Sequence, residues 1–236
     1  MAIPLRSGIW PRGVVFAVSV LSVMLSASRD AGAGQRATAP RLRDAHLAAQ
    51  MPEAVGGGEA VLELTVDSRG AVTHIDAIRV TPPYTDFVAD SAAEWQFEPA
   101  TIVSEGRPVG IDARVLIVAV FRPPTFYSGA GQRVPPETRG TPSVGLPRLQ
   151  SLVMPVYPPT ATGNGVVLVE IEVSARAESH AYRIVGPASG FDAAGIDAVR
   201  AWRFAAPQAV DAPDHLFVYA VVGFRAPLAP ATPQRK

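Results

Sequence analysis

The sequence predicts an α+β protein built from two small repeated units, each running strand, strand, helix, strand. At residues 190–204 the apolar residues Phe191, Ala194, Ala198 and Trp202 recur at helical spacing and pass directly into a short strand marked by Trp202 and Phe204. The same pattern occurs earlier: Tyr84, Trp95 and Phe97 stand 107 residues before Phe191, Trp202 and Phe204. An alternating hairpin precedes each helix, LELTVDSRG from Leu62 and VEIEVSARA from Val169, at the same offset. A constant offset indicates duplication. After the helix it falls to 103, which aligns Val115 with Val218 and Phe121 with Phe224 and puts the length change in a loop.

In chain order, Arg6 and Arg12 precede an apolar run over residues 14–27, and Ala31-Gly32-Ala33 offers a cleavage spacing. Residues 1–33 therefore read as a signal peptide, the alternative being a short anchor; the run would span about 21 Å as a helix against about 30 Å of hydrocarbon. Residues 34–57 read as a flexible N-terminal segment. Residues 58–122 form the first, degenerate unit, with strands at 60–66 and 71–80 joined by a turn at Gly70 and a helix opened by Pro82 and Pro83. Pro99 stops the strand after Trp95, a loop with Gly106 and Pro108 follows, and a long strand runs from Ile111 to Phe121.

Residues 123–150 read as an interdomain linker, rich in proline and glycine and long enough that the two units need not touch. The second unit, residues 151–227, has strands at 166–173 and 181–185, the organising helix, and a last strand at 215–224 that is apolar on both faces. Gly195 inside the helix implies a close approach to the sheet. Residues 228–236 read as a tail.

Composition excludes several chemistries. Acidic and basic residues balance at 21 each, so bulk charge points to no nucleic-acid partner. There is no cysteine, and the only lysine is Lys236. The glycine run at 56–58 lacks a following Lys-Ser/Thr pair, so it is no phosphate-cradling loop. His46, His74, His180 and His215 show no metal-ligand spacing, no GxSxG elbow is present, and Glu170 and Glu172 alternate with Val169, Ile171 and Val173 as a solvated face would. The expectation is a protein that is not an enzyme, with no cofactor and no metal.

Tyr157-Pro158, the FDAAGIDAVRAWRF stretch and a closing strand ending in Phe224 resemble the C-terminal domain of TonB-type energy transducers over residues 155–227. Tyr157-Pro158 is similar to the family's opening Tyr-Pro, Phe191-Asp192 to its helix start, Arg200-Ala201-Trp202-Arg203-Phe204 to its helix-to-strand signature, and Phe224 to its terminal strand mark. The first unit keeps Trp95, Phe97, Pro99 and Phe121, lacks the Tyr-Pro, and has Tyr84-Thr85 for Phe-Asp.

The resemblance implies two small αβ sandwiches, each a three-stranded antiparallel sheet packed on one helix. It also implies a periplasmic protein that pairs an extended segment of an outer-membrane transporter with a sheet edge and takes part in energy-coupled transport. Membrane contact would require a retained N-terminal segment, placing the protein on the inner membrane facing the periplasm. The alternative function is a soluble envelope scaffolding or dimerisation module, pairing with another envelope protein or with itself. The last strand is the candidate edge, with Phe217, Tyr219 and Val221 as its peptide-binding face; Tyr157 and Pro158 either line that edge or cap the core. Trp95 and Trp202, repeated at the helix-to-strand junction, read as core anchors.

Overall fold

Runs of alternating or continuous apolar residues make thirteen strands, and the two 3.6-periodic stretches make two nine-residue helices, among the described residues. The computed structural model describes residues 37–48, 50–124, 137–209 and 212–228, all within one compact unit, Ala33–Lys236. Residues 1–33, read as a signal peptide or short anchor, lie outside the described residues, as do most of the tail and the middle of the linker. Among the described residues no helix is long and apolar enough to cross a membrane.

The elements are β1 (Arg41–Asp44), β2 (Gly58–Val66), β3 (Val72–Val80), α1 (Tyr84–Ala92), β4 (Gln96–Glu98), β5 (Ala100–Ser104), β6 (Arg107–Ile111) and β7 (Ala113–Phe121). They continue with β8 (Glu137–Thr138), β9 (Arg148–Ser151), β10 (Gly165–Ser174), β11 (Ser179–Gly186), α2 (Asp192–Arg200), β12 (Arg203–Ala205) and β13 (His215–Phe224). The loop expected around Gly106 is a hairpin, β5 paired with β6, turning through Glu105 and Gly106 at positive φ. Asp112 separates β6 from β7, where the sequence suggested one strand from Ile111.

Two separate three-stranded sandwiches are not what forms. One mixed sheet of seven strands runs in the order β11-β10-β13-β7-β2-β3-β8, with β13 and β7 parallel at its centre and every other neighbouring pair antiparallel. The expectation of units that need not touch fails because the last strands of both repeats are apolar on both faces. Such strands can bury both faces only inside a sheet covered on both sides.

Register explains how the two repeats share that sheet. Repeat mates lie 103 residues apart in these strands, yet β13 pairs with β7 at Val218↔Leu116, Ala220↔Val118 and Val222↔Val120, an offset of 102. One residue of slip reverses the face of every side chain. Val115, Ile117, Ala119 and Phe121 therefore face the core under α1, while their mates Val218, Ala220, Val222 and Phe224 face the opposite core, under α2. The repeats are thus related by an approximate twofold screw along the central strands, with one helix on each face of the sheet.

The repeat begins earlier than the hairpin suggests. Leu42 pairs with Phe97 across β1 and β4, and Leu149 pairs with Phe204 across β9 and β12, each partner 107 residues on. Trp95 Nε1 donates to His46 O at 2.9 Å, and its mate Trp202 Nε1 donates to Val153 O at 3.2 Å. The segment read as a flexible entry thus supplies β1, and the segment read as a linker supplies β8 and β9.

Two glycines permit close packing. A Cβ on Gly195 would lie 3.1 Å from Val167 Cγ1, so α2 rests directly on β10, as the sequence implied. A Cβ on Gly223 would collide with the Phe121 ring and lie 3.1 Å from Met51 Sδ. Gly223→Ala is expected to destabilise the protein by about 1–3 kcal/mol, read as a lowered denaturant midpoint at unchanged m-value.

Candidate functional site

The expected peptide-binding edge is closed. β13 is hydrogen-bonded along one side to β10 over all ten of its residues and along the other to β7 over Val218–Gly223. Tyr219 and Val221 are fully buried, and Phe217 is half buried beneath the Arg41 guanidinium, 5.1 Å from its ring centroid. The three share a face, but that face is the α1-side core, so β13 is corrected from edge to centre. Tyr157 stands apart from them: its ring meets Phe191 edge-on at 5.7 Å, and its hydroxyl donates to Gly163 O at 2.8 Å. Partial burial raises the pKa of that phenol. Tyr157 thus contacts the second core through Phe191, and Pro158 beside it is half buried.

The sheet's two outer strands are β11 and, beyond β3, the two-residue β8. They are not equivalent. On the β3 side the chain covers its own edge: Thr138 and Glu137 pair with Arg79 and Val80, and Arg139 N donates to Ile78 O at 2.7 Å. On the β11 side no strand among the described residues pairs with the outer edge. Tyr182 and Ile184 border this edge toward α2, with Arg200 5.8 Å from the Tyr182 ring centroid. Toward the other face lie Arg183 and Val185, and Val185 opens into a groove of about 440 Å³ between β10–β11 and the segment carrying Leu47 and Met51.

Arg183 anchors this edge. Its Nε and Nη2 donate to Glu170 Oε1 and Oε2 at 3.0 and 2.8 Å, while Arg41 Nη2 donates to Oε1 at 2.9 Å. Tyr219 Oη donates to Oε2 at 3.3 Å and accepts from Leu42 N at 2.7 Å. Glu170 is 3% exposed, so the solvated-face reading is corrected: alternation put it opposite Val169, but that second face is covered by the β1 segment. Burial pushes its carboxyl pKa up, but the hydrogen bonds and charges of Arg183 and Arg41 outweigh burial and hold it below the usual carboxylate range. Burial and the Glu170 charge push the Tyr219 phenol far up. Glu63, the repeat mate of Glu170, is equally buried but is held by Arg114, Ser143 N at 2.8 Å and Ser143 Oγ at 2.6 Å.

Sequence reasoning missed both the Glu170 cluster and the β11 edge. A signal for the first was present, since two glutamates recur at one offset inside strands otherwise made of core residues. No group of three His, Cys, Asp or Glu arranged to hold a metal occurs among the described residues. No family model, no curated protein and no solved structure matches this chain.

Proposed function

We propose that this protein is a non-catalytic binding module that adds an extended segment of a partner to the outer edge of β11, as an eighth strand of its sheet. The observation that carries the reading is the asymmetry between the sheet's ends. β3 shows that this architecture accepts an extended segment on its outer strand, and its repeat mate β11 has no such segment among the described residues. Backbone hydrogen bonds would supply affinity. Alternate side chains would meet Tyr182, Ile184 and Arg200 on one face and Arg183, Val185 and the groove on the other. The resemblance of residues 155–227 to TonB-type C-terminal domains supports a periplasmic setting, with an outer-membrane transporter segment as the partner and a role in energy-coupled uptake. The role needs no cofactor and no metal.

Amide hydrogen exchange of the full chain tests this, using synthetic peptides from the periplasm-facing ends of outer-membrane transporters. Binding is expected to slow exchange at alternate residues of β11 at least tenfold while leaving β7 and β13 unchanged. No peptide-dependent protection in β11 would sink the proposal. Protection already present without peptide, together with the mass of a dimer, would replace it with β11-to-β11 pairing of two copies, the scaffolding reading.

A further inference from the structure

We propose that the segment added to β11 runs antiparallel to it, pairs at Val185 and Gly186, and sets a large apolar side chain into the groove beside Val185. This deepens the β11-edge reading and rests on it. The first repeat supplies the template. Val61 pairs with Arg79 and Leu62 with Ala77, just as their mates at the offset of 107, Leu168 and Val169, pair with Gly186 and Ile184. Both ladders slip at the same two places, Val61/Leu62 with its mate Leu168/Val169, and Thr65/Val66 with its mate Glu172/Val173. The outer edge of β11 therefore repeats, bulge for bulge, the edge that β3 offers to β8. There the covering segment is antiparallel, with Thr138 opposite Arg79 and Arg139 N donating to Ile78 O at 2.7 Å. The mates of Ile78 and Arg79 are Val185 and Gly186.

Past β8 the covering segment continues alongside the sheet, where Gly140, Thr141 and Pro142 line a cavity of about 370 Å³ together with Val61, Ile78 and Arg79. The mates of those last three, Leu168, Val185 and Gly186, line the groove of about 440 Å³. The groove differs from the cavity in chemistry. In the first repeat Arg79 Nη1 donates to Glu59 Oε2 at 3.1 Å, whereas the mates of this pair are Gly186 and Val166. An ion pair is thus replaced by one side chain fewer and by a wall of Val166, Val185 and Leu47, all half buried. The groove's polar side chains already have partners: His46 Nε2 is bonded to Glu94 at 3.0 Å, and Asn164 Oδ1 accepts from Ala226 N at 2.9 Å. An apolar side chain seated there takes this wall out of water, while a charged one loses its own hydration without an opposite charge to meet.

The test is nuclear magnetic resonance titration of the full chain with capped peptides copied from residues 137–143, Glu-Thr-Arg-Gly-X-Pro-Ser, where X, in place of Thr141, is leucine, alanine or aspartate. The leucine peptide is expected to shift the amide signals of Val185 and Gly186 saturably, with a Kd below about 5 mM, and to bind about tenfold more tightly than the other two. Its reversed sequence should bind no better than the alanine peptide. Leu47→Asp, in the groove wall, should erase the preference for leucine. Equal binding of the three peptides, equal binding of forward and reversed sequences, or shifts confined to residues 179–182 would each overturn this inference and leave the β11 edge standing. No response to the leucine peptide also overturns it, and hydrogen exchange with the transporter peptides then decides separately whether the edge reading falls too. Protection of Val185 without peptide would give the place to a second copy in a dimer, or in a monomer to residues 30–35, the mates of 137–142; either result overturns the proposal. The peptide comparison uses the wild-type chain and holds even if Leu47→Asp misfolds.

Discussion

Trp95→Ala and Trp202→Ala are each expected to cost about 3–5 kcal/mol, and both to shift the same single unfolding transition. The two indoles are fully buried, one in each core. In a protein of two independent sandwiches each substitution would move only its own half of a biphasic curve. Here the cores are not independent. Trp95 and Phe97 of the first repeat meet Tyr219 of the second edge-on at 6.4 and 5.7 Å, and β7 pairs with β13 through the middle of the sheet. Unfolding either repeat strips an edge and a face from the other, so the loss propagates. Urea denaturation followed by far-ultraviolet circular dichroism decides this; two resolved transitions, each sensitive to one tryptophan only, would refute the continuous sheet.

Glu170→Ala carries the second large effect, a loss of about 3 kcal/mol. That is the low end for breaking a buried ion pair, because Arg41 and Arg183 are half exposed and can turn to water once released. The substitution frees the β1 segment and leaves the buried Tyr219 hydroxyl one acceptor short. The pH dependence follows from the depressed carboxyl pKa. The contribution of Glu170 is fully present above the unfolded carboxyl value, about 4.3, and is lost as pH falls through the folded value. Wild-type stability should therefore decline with a steeper slope below about pH 4 than that of Glu170→Gln, whose group does not titrate. Parallel slopes in the two proteins would show that the carboxylate is not held as the geometry implies. Arg183→Met should reproduce part of the loss, since Arg41 still holds Glu170.

Much of the local structure was legible. Period-2 alternation located β2, β3, β10 and β11 to within about two residues, and 3.6 periodicity located both helices. The constant offset exposed the duplication, and the paired tryptophans at the helix-to-strand junction read correctly as core anchors. These are short-range signals, set by which side of one element is apolar. The Gly106 hairpin was missed because its strands carry little alternation; only the turn residues Glu105 and Gly106 marked it.

Which elements come together was a separate question, and the candidate site depended on it. Phe217, Tyr219 and Val221 looked like an edge face because β13 is the last strand of a unit taken to stand alone. The same observation, apolar residues on both faces, fits a central strand equally well until a partner is supplied. The Glu170 cluster arises from the two repeats packing on one another, with Arg41 reaching Glu170 over more than a hundred residues of chain. By itself the sequence determined the repeat, the helices, the hairpins and the anchors, since each depends on residues near one another in the chain. Only the tertiary structure decided that two half-sheets join in parallel with one residue of slip, turning the last strand of each from edge to centre and leaving β11 with its outer edge open.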